Sequence, residues 1–164
     1  MNTIKPQITY RENVCNDDTR IVRSIVESTG FFSVEETDIA VELVEERLKR
    51  GAASGYHFLF AETNGQAVGY TCFGRIGCTQ ASYDLYWIVV HNNLRGQGLG
   101  KQLLKRSEEI IRSMNGKRVY LETSSRSQYL STRQFYLNTG YTVEAILDDF
   151  YAPGDDKVIF LKVL

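Results

Sequence analysis

Val90-His91-Asn92-Asn93-Leu94-Arg95-Gly96-Gln97-Gly98-Leu99-Gly100-Lys101 is the stretch on which the reading of this chain turns. Before it runs Tyr83-Asp84-Leu85-Tyr86-Trp87-Ile88-Val89-Val90, apolar on both faces as a central strand should be. After it, Leu99, Leu103, Leu104, Ile110, Ile111 and Met114 recur at helical spacing, so a helix begins inside the glycine cluster. A strand that passes through a glycine-rich loop into a helix is built to hold phosphate. The first N–H groups of a helix lack carbonyl partners and sit at the positive end of its dipole. Glycine lets the main chain approach an anion closely, and Arg95 and Lys101 add positive charge.

Spacing excludes two common phosphate loops. A P-loop requires Gly, four residues, then Gly-Lys-Ser/Thr; here Gly100-Lys101 is followed by Gln102, and Arg95 stands where the first glycine belongs. A dinucleotide fingerprint requires Gly-x-Gly-x-x-Gly directly after the first strand of a βαβ unit, whereas these glycines are spaced Gly-x-Gly-x-Gly and come late in the chain.

Outward from the loop, the pattern predicts a mixed α/β fold in the order β-α-α-β-β-β-α-β-α-β-β. Gln7–Glu12 reads as a short first strand, and Asp17 or Asp18 caps a helix carrying Ile21, Val22, Ile25 and Val26, which Gly30 ends. Ser33-Val34-Glu35-Glu36 is a capping box opening a second helix with Ile39, Leu43, Val44 and Leu48 on one face. Tyr56–Glu62, Asn64-Gly65 and Gln66–Phe73 read as a hairpin, followed by a loop over 74–82. Asn115-Gly116 closes the helix after the glycine cluster. Arg118–Thr123 is then a strand, Ser131–Thr139 a helix with Gly140 at its end, and Tyr141–Leu147 and Lys157–Leu164 two strands joined through Ala152-Pro153-Gly154-Asp155.

Composition bounds the rest. At 164 residues, with 43% hydrophobic and 24% charged side chains, the chain is expected to form one domain over residues 1–164. A net charge of -1 gives no general attraction to nucleic acid or anionic membrane, and no basic patch with interleaved aromatics supports a nucleic-acid partner. No apolar run approaches the ~20 residues of a membrane span. Lys5, Pro6 and Gln7 stand where a signal peptide needs its apolar stretch, so a cytoplasmic protein is expected. Cys15, Cys72 and Cys78 have no metal-ligand spacing, and their odd number argues against a disulfide framework; no metal site is expected.

Arg95-Gly96-Gln97-Gly98-Leu99-Gly100 fits the pattern Gln/Arg-x-x-Gly-x-Gly/Ala, and Phe135-Tyr136-Leu137-Asn138-Thr139-Gly140-Tyr141 is similar to a Leu-Tyr-x-x-x-Gly-Phe segment. Both motifs, in this order of elements, resemble the GNAT-type N-acetyltransferases. The resemblance covers nearly the whole chain and implies an acyltransferase that moves an acetyl group from acetyl-CoA, as co-substrate, directly to a primary amine of a small molecule or protein. It implies that Arg95, Gly96, Gln97, Gly98, Leu99, Gly100 and Lys101 hold the pyrophosphate, and that main-chain groups of Ile88, Val89 and Val90 bind the pantetheine arm and acetyl group.

For catalysis the resemblance implies Tyr136 as the acid that protonates the departing thiolate, a task for which a phenol still protonated at neutral pH is suited. Glu122 resembles a strand glutamate that accepts the amine's proton in some members, with Asp84 or a water chain as alternatives. His91 carries a ring suited to neutral pH but stands at the loop entrance. Many relatives place an asparagine between the positions of Glu122 and Tyr136. This chain has Thr123–Leu130 without one, where Ser127 or Tyr129 would substitute.

Phe31 and Phe32, between the first two helices, are candidate walls of an acceptor pocket. Acidic residues at Glu35, Glu36, Asp38, Glu42, Glu45 and Glu46, and at Asp148, Asp149, Asp155 and Asp156, would favour a cationic amine. A non-catalytic acyl-CoA-binding sensor on the same fold is the alternative reading, and an edge strand near the C-terminus suits a homodimer.

Overall fold

The computed structural model describes residues 7–164; Lys5 and Pro6 of the signal-peptide reading lie outside the described residues. The elements follow the predicted order: β1 (Ile8–Arg11), α1 (Asp18–Ser28), α2 (Val34–Arg50), β2 (His57–Thr63), β3 (Gln66–Arg75), β4 (Ser82–Val90), α3 (Leu99–Ser113), β5 (Arg118–Ser124), α4 (Leu130–Asn138), β6 (Thr142–Ala152) and β7 (Asp155–Val163). The strands form a seven-stranded sheet in the order β1-β2-β3-β4-β5-β7-β6. The pairing of β4 with β5 is parallel, whereas β1 with β2, β2 with β3, and β7 with β5 and β6 pair antiparallel, so the sheet is mixed. Among the described residues, no helix is long and apolar enough to cross a membrane.

The chain divides into two compact units, and both β4 and α3 cross the division. The first takes in the described residues up to Gly74 together with Tyr86–Ser107. Its core joins Val22, Ile25 and Val26 of α1 and Ala40, Val41 and Val44 of α2 to Phe58, Phe60, Tyr70, Cys72 and Val89 of the strands. On the opposite side of β3 the Thr71 and Ser107 hydroxyls lie 2.7 Å apart, a buried bond that joins the strand to α3.

The second unit holds Arg75–Leu85 and Glu108–Leu164. Val119 and Leu121 of β5 and Val158 and Phe160 of β7 are buried beside Tyr136 of α4 and Tyr141. The Tyr141 hydroxyl donates to Glu108 at 3.1 Å, and Lys162 Nζ lies 2.7 Å from the same carboxylate. That contact accounts for a glutamate with only 4% exposure.

Local signals were realised unevenly. The capping box forms as predicted: Glu36 N–H donates to Ser33 Oγ at 3.1 Å and Ser33 N–H to Glu36 Oε2 at 2.7 Å. The buried face of α2, however, is Thr37, Ala40, Val41 and Val44, and Ile39 is exposed. Leu43 and Leu48 of the predicted face are partly buried and pack against the core beside Val44, so of that face only Ile39 turns outward. The closing hairpin also differs. Its strands reach Ala152 and Asp155, so only Pro153 and Gly154 turn. The surplus residues of β6 are taken up in an irregularity between Leu147 and Ala152, where Asp149 adopts φ 51°.

Neither Asp17 nor Asp18 supplies the expected side-chain cap of α1. Asp17 pairs with Arg20 at 2.7 Å, while Asp18 is fully buried and takes both Arg11 guanidinium nitrogens at 2.9 Å as well as Cys15 N–H at 2.8 Å. Burial alone would raise the Asp18 carboxyl, but the hydrogen bonds from Arg11 and Cys15 outweigh it and hold the group below its ordinary value. The pair bolts β1 to the start of α1.

Asp18→Ala is expected to lower unfolding free energy by about 3 kcal/mol, since removing one partner strands the other. Because the folded carboxyl is depressed, its contribution is complete above the ordinary carboxylate range and lost as pH falls through the folded value. Urea titrations of wild type and variant should therefore converge on acidification.

Candidate active site

The loop after β4 is assembled from short-range bonds. His91 N–H donates to Val68 O at 2.8 Å, which holds the end of β4 beside β3. The His91 ring Nδ1 accepts Asn93 N–H at 3.3 Å and caps the 3-10 turn Asn92–Leu94. This occupies His91 structurally. Asn92 N–H donates to Ser28 Oγ at 3.1 Å, tying the loop to the end of α1.

Gly96 and Gly98 then adopt φ of 74° and 81°, the left-handed region that costs an L side chain roughly 1–2 kcal/mol per residue. A Cβ at either would meet nothing within 4 Å, so the constraint is the dihedral and the space beside the loop is open. The first intrahelical bond of this end is Gln102 N–H to Gly98 O at 3.1 Å, leaving the N–H groups of Leu99, Gly100 and Lys101 without helical acceptors. No acidic residue stands in the first turn of α3 to occupy them. Arg95 and Lys101 are exposed, and the Arg95 guanidinium lies 4.9 Å over the Phe31 ring. Phe31 thus steadies a loop cation. Phe32 instead meets Trp87 edge-on at 5.1 Å and packs against the core.

Of the predicted triplet in β4, Val89 is a core residue with 4% exposure, and Ile88 and Val90 are half-buried. The parallel register of β4 with β5 runs Ser82 to Arg118, Tyr83 to Val119 and Asp84 to Tyr120, and stops there. Within the second unit, Leu121–Ser124 of β5 consequently have a strand partner on the β7 side only.

Tyr136 sits in the second unit with rings of Phe135, Tyr141 and Phe160 at 5.4, 5.9 and 5.6 Å. Burial pushes its phenol above the ordinary value, so it keeps its proton at neutral pH. Among the described residues its hydroxyl has no hydrogen-bond partner, in contrast to that of Tyr141. Phe160 lies opposite Leu121, so strand alternation puts Tyr136 on one face of β5 and β7, and Glu122, Tyr120, Asp84 and Lys157 on the other. The structure therefore does not bring Tyr136 and Glu122 side by side.

On that second face Glu122 is exposed and its Oε2 lies 2.9 Å from Lys157 Nζ. Asp84 is half-buried and, among the described residues, has neither hydrogen bond nor salt bridge. Burial raises its carboxyl above the ordinary value, the Glu122 charge raises it further, and Lys157 opposes both.

The acidic clusters are largely committed elsewhere. Asp38 pairs with Arg23 at 2.8 Å, Glu46 with Arg50 at 3.5 Å, and Glu36 closes the capping box. Asp155 is buried against the Ser124 hydroxyl and 3.1 Å from Arg126 Nε. Asp156 accepts Asp149 N–H at 2.9 Å. Ser124, Arg126 and Asp155 thus secure the entry to α4 from the last hairpin, and Arg133 adds a bond to Ser124 O at 2.8 Å. Sequence reasoning missed this group because the partners are some thirty residues apart; Ser124 and Asp155 are separated by 31. Ser127 lies in a short 3-10 turn and Tyr129 at its end, with Arg126 5.7 Å from the Tyr129 ring.

Comparison with known proteins shows the family and the fold. Residues 22–141 match the sequence model of the Acetyltransferase (GNAT) family. A crystal structure from Desulfovibrio desulfuricans, described as a candidate acetyltransferase of that family, shares 43% identity over 96% of this chain and 99% of its own, with a TM-score of 0.94. An uncharacterised N-acetyltransferase from Methanocaldococcus jannaschii is 28% identical over 64% of this chain, a match spanning 65% of that relative's length. The PaiA N-acetyltransferase of Thermoplasma acidophilum, solved with coenzyme A, has the same fold at 18% identity and a TM-score of 0.73, over 96% of this chain and 99% of its own.

Folding raises the proton affinity of Asp84, so ionised Asp84 burdens the folded state once pH passes above the ordinary carboxylate range. Asp84→Asn should raise the melting temperature relative to wild type at pH 7, with the gap closing near pH 3, where both states of the wild type are protonated. Calorimetry at the two pH values measures it.

Proposed function

This chain belongs to the acetyltransferase (GNAT) family, and on that premise we propose that it is a single-domain, acetyl-CoA-dependent N-acetyltransferase acting on a primary amine. The observation that carries the reading is the opening of α3: two left-handed glycines, three N–H groups without helical acceptors, flanking Arg95 and Lys101, and no carboxylate in the first turn. Such an end attracts a pyrophosphate through main-chain hydrogen bonds and the helix dipole together. Gln97, exposed between the two glycines, joins it as a candidate contact. Ile88, Val89 and Val90 contribute main chain to the pantetheine arm in this reading, while their side chains pack.

The reaction needs an acid for the thiolate and a base for the amine. A neutral amine attacks the thioester carbonyl carbon, the C–S bond breaks, and the sulfur takes a proton from the Tyr136 hydroxyl. The proton released by the amine nitrogen goes to the carboxyl pair Asp84 and Glu122. Tyr136 suits its task because burial keeps it protonated and no protein group already uses its hydroxyl. Acid and base lie on opposite faces of β5, so we place the thioester at the open main-chain edge Leu121–Ser124, within reach of both faces. A second copy meeting the edge strand β6, where Ile146 and Phe150 are exposed, belongs to the same reading.

Acetyl-CoA at 100 times its dissociation constant should stabilise the fold by about 2.7 kcal/mol in thermal unfolding, with no comparable effect from ATP or NAD. Gly98→Ala should weaken that binding about tenfold, the equivalent of ~1.4 kcal/mol of backbone strain, in calorimetric titration. Tyr136→Phe should lower kcat toward an amine panel about 100-fold and leave acetyl-CoA affinity unchanged. Binding without transfer by the wild type would favour the sensor reading.

A further inference from the structure

The face of the second unit that carries Asp84 and Glu122 also carries a third charge, on β7. Lys157 Nζ lies 2.9 Å from Glu122 Oε2, 3.8 Å from the centre of the Phe150 ring and 5.8 Å from that of Tyr151. Its side chain is 13% exposed, against 55% for the glutamate it holds. Lysine is seldom covered to this degree, and here the ammonium is bounded by an aromatic face and a carboxylate. Asp84 shares the face, beside Tyr120 in the β4–β5 register, and has no hydrogen bond or ion pair of its own among the described residues.

The three groups are not equivalent. Lys157 is anchored by packing, and Glu122 is engaged in an ion pair with it at 2.9 Å. Asp84 is the carboxyl group without a hydrogen bond or ion pair among the described residues, and burial raises its proton affinity. Building on the acetyl-transfer reading, we propose that Lys157 is a positioning residue: seated on Phe150, it holds the Glu122 carboxylate in an ion pair and leaves the unpaired Asp84 to accept the proton of the acceptor amine.

The charged groups facing Asp84 are Glu122 on β5 and Lys157 on β7. Burial and Glu122 raise its proton affinity, and Lys157 lowers it. The pair thus sets the pH at which Asp84 becomes a competent base, although Lys157 itself touches no reacting atom.

The side-chain carboxyl of Asp84 can be followed by carbon NMR in the full chain, assigned with Asp84→Asn, alongside the pH profile of kcat/KM for a primary amine. Lys157→Met should move both the Asp84 titration and the acidic limb of the profile to higher pH, with kcat/KM below the limb falling several-fold. Glu122→Gln should move both to lower pH, and Lys157→Arg should restore the wild-type profile. A titration of Asp84 that neither Lys157→Met nor Glu122→Gln moves overturns the proposal. So does a titration that moves while the acidic limb stays in place. If Lys157→Met does not fold, Glu122→Gln still decides both points. A wild-type protein that acetylates no amine overturns the underlying function instead, and the two failures are distinguishable because the titration is read without turnover.

Discussion

The parallel pairing of β4 with β5 lasts three residues, Ser82–Asp84, and much of the proposed chemistry follows from where it stops. A parallel strand in mid-sheet ordinarily spends its main chain on both neighbours. Here the C-terminal part of β4 has no β5 register, and β5 from Leu121 to Ser124 pairs only with β7. Main-chain groups released in this way can bind an extended amide-bearing ligand without any special side chain. That is why Ile88, Val89 and Val90 can be ordinary packing residues and still be candidate contacts. Asp84 is the last residue of β4 that pairs with β5, and its carboxyl is half-buried.

Around this break the charges are used sparingly. Most acidic side chains that form conspicuous runs along the chain are engaged in caps, salt bridges or turns: Glu36 in the capping box, Asp38 with Arg23, Asp155 with Ser124 and Arg126. With a net charge of -1, the chain offers no broad field to draw a cation. In the proposed reaction, recognition of an amine therefore falls to a few groups with local geometry, and the face holding Asp84, Glu122 and Lys157 is one where two carboxyl groups and an ammonium meet. The proposed phosphate end is as economical. Arg95 is steadied by Phe31, and the remaining candidate partners of an anion are main-chain N–H groups set by the dihedrals of Gly96 and Gly98.

Short-range signals were legible where one residue's chemistry dictates one conformation. The capping box, the Asn64-Gly65 hairpin, the closing Asn115-Gly116 and the glycine loop all rest on neighbours within a few positions, and all formed. Signals that depend on what lies opposite were not legible. Asp18 resembled a helix cap and became the buried partner of Arg11, because β1 brings a guanidinium to it. On α2 the predicted Val44, Leu43 and Leu48 do face the core, but Ile39 is exposed and Thr37, Ala40 and Val41 are buried instead.

The sequence by itself determined the order of elements and the glycine loop entering α3, since each is written in periodicity or in residues within a few positions of one another. Only the tertiary structure decided that Tyr136 and Glu122 occupy opposite faces of β5, that the Tyr141 hydroxyl is taken by Glu108 while that of Tyr136 is not, and that Lys157 closes on Glu122. The physical reason is the same in each case. Strand register and side-chain pairing join residues some 30 positions apart, and a charge or hydroxyl acquires its role from the partner that register sets before it.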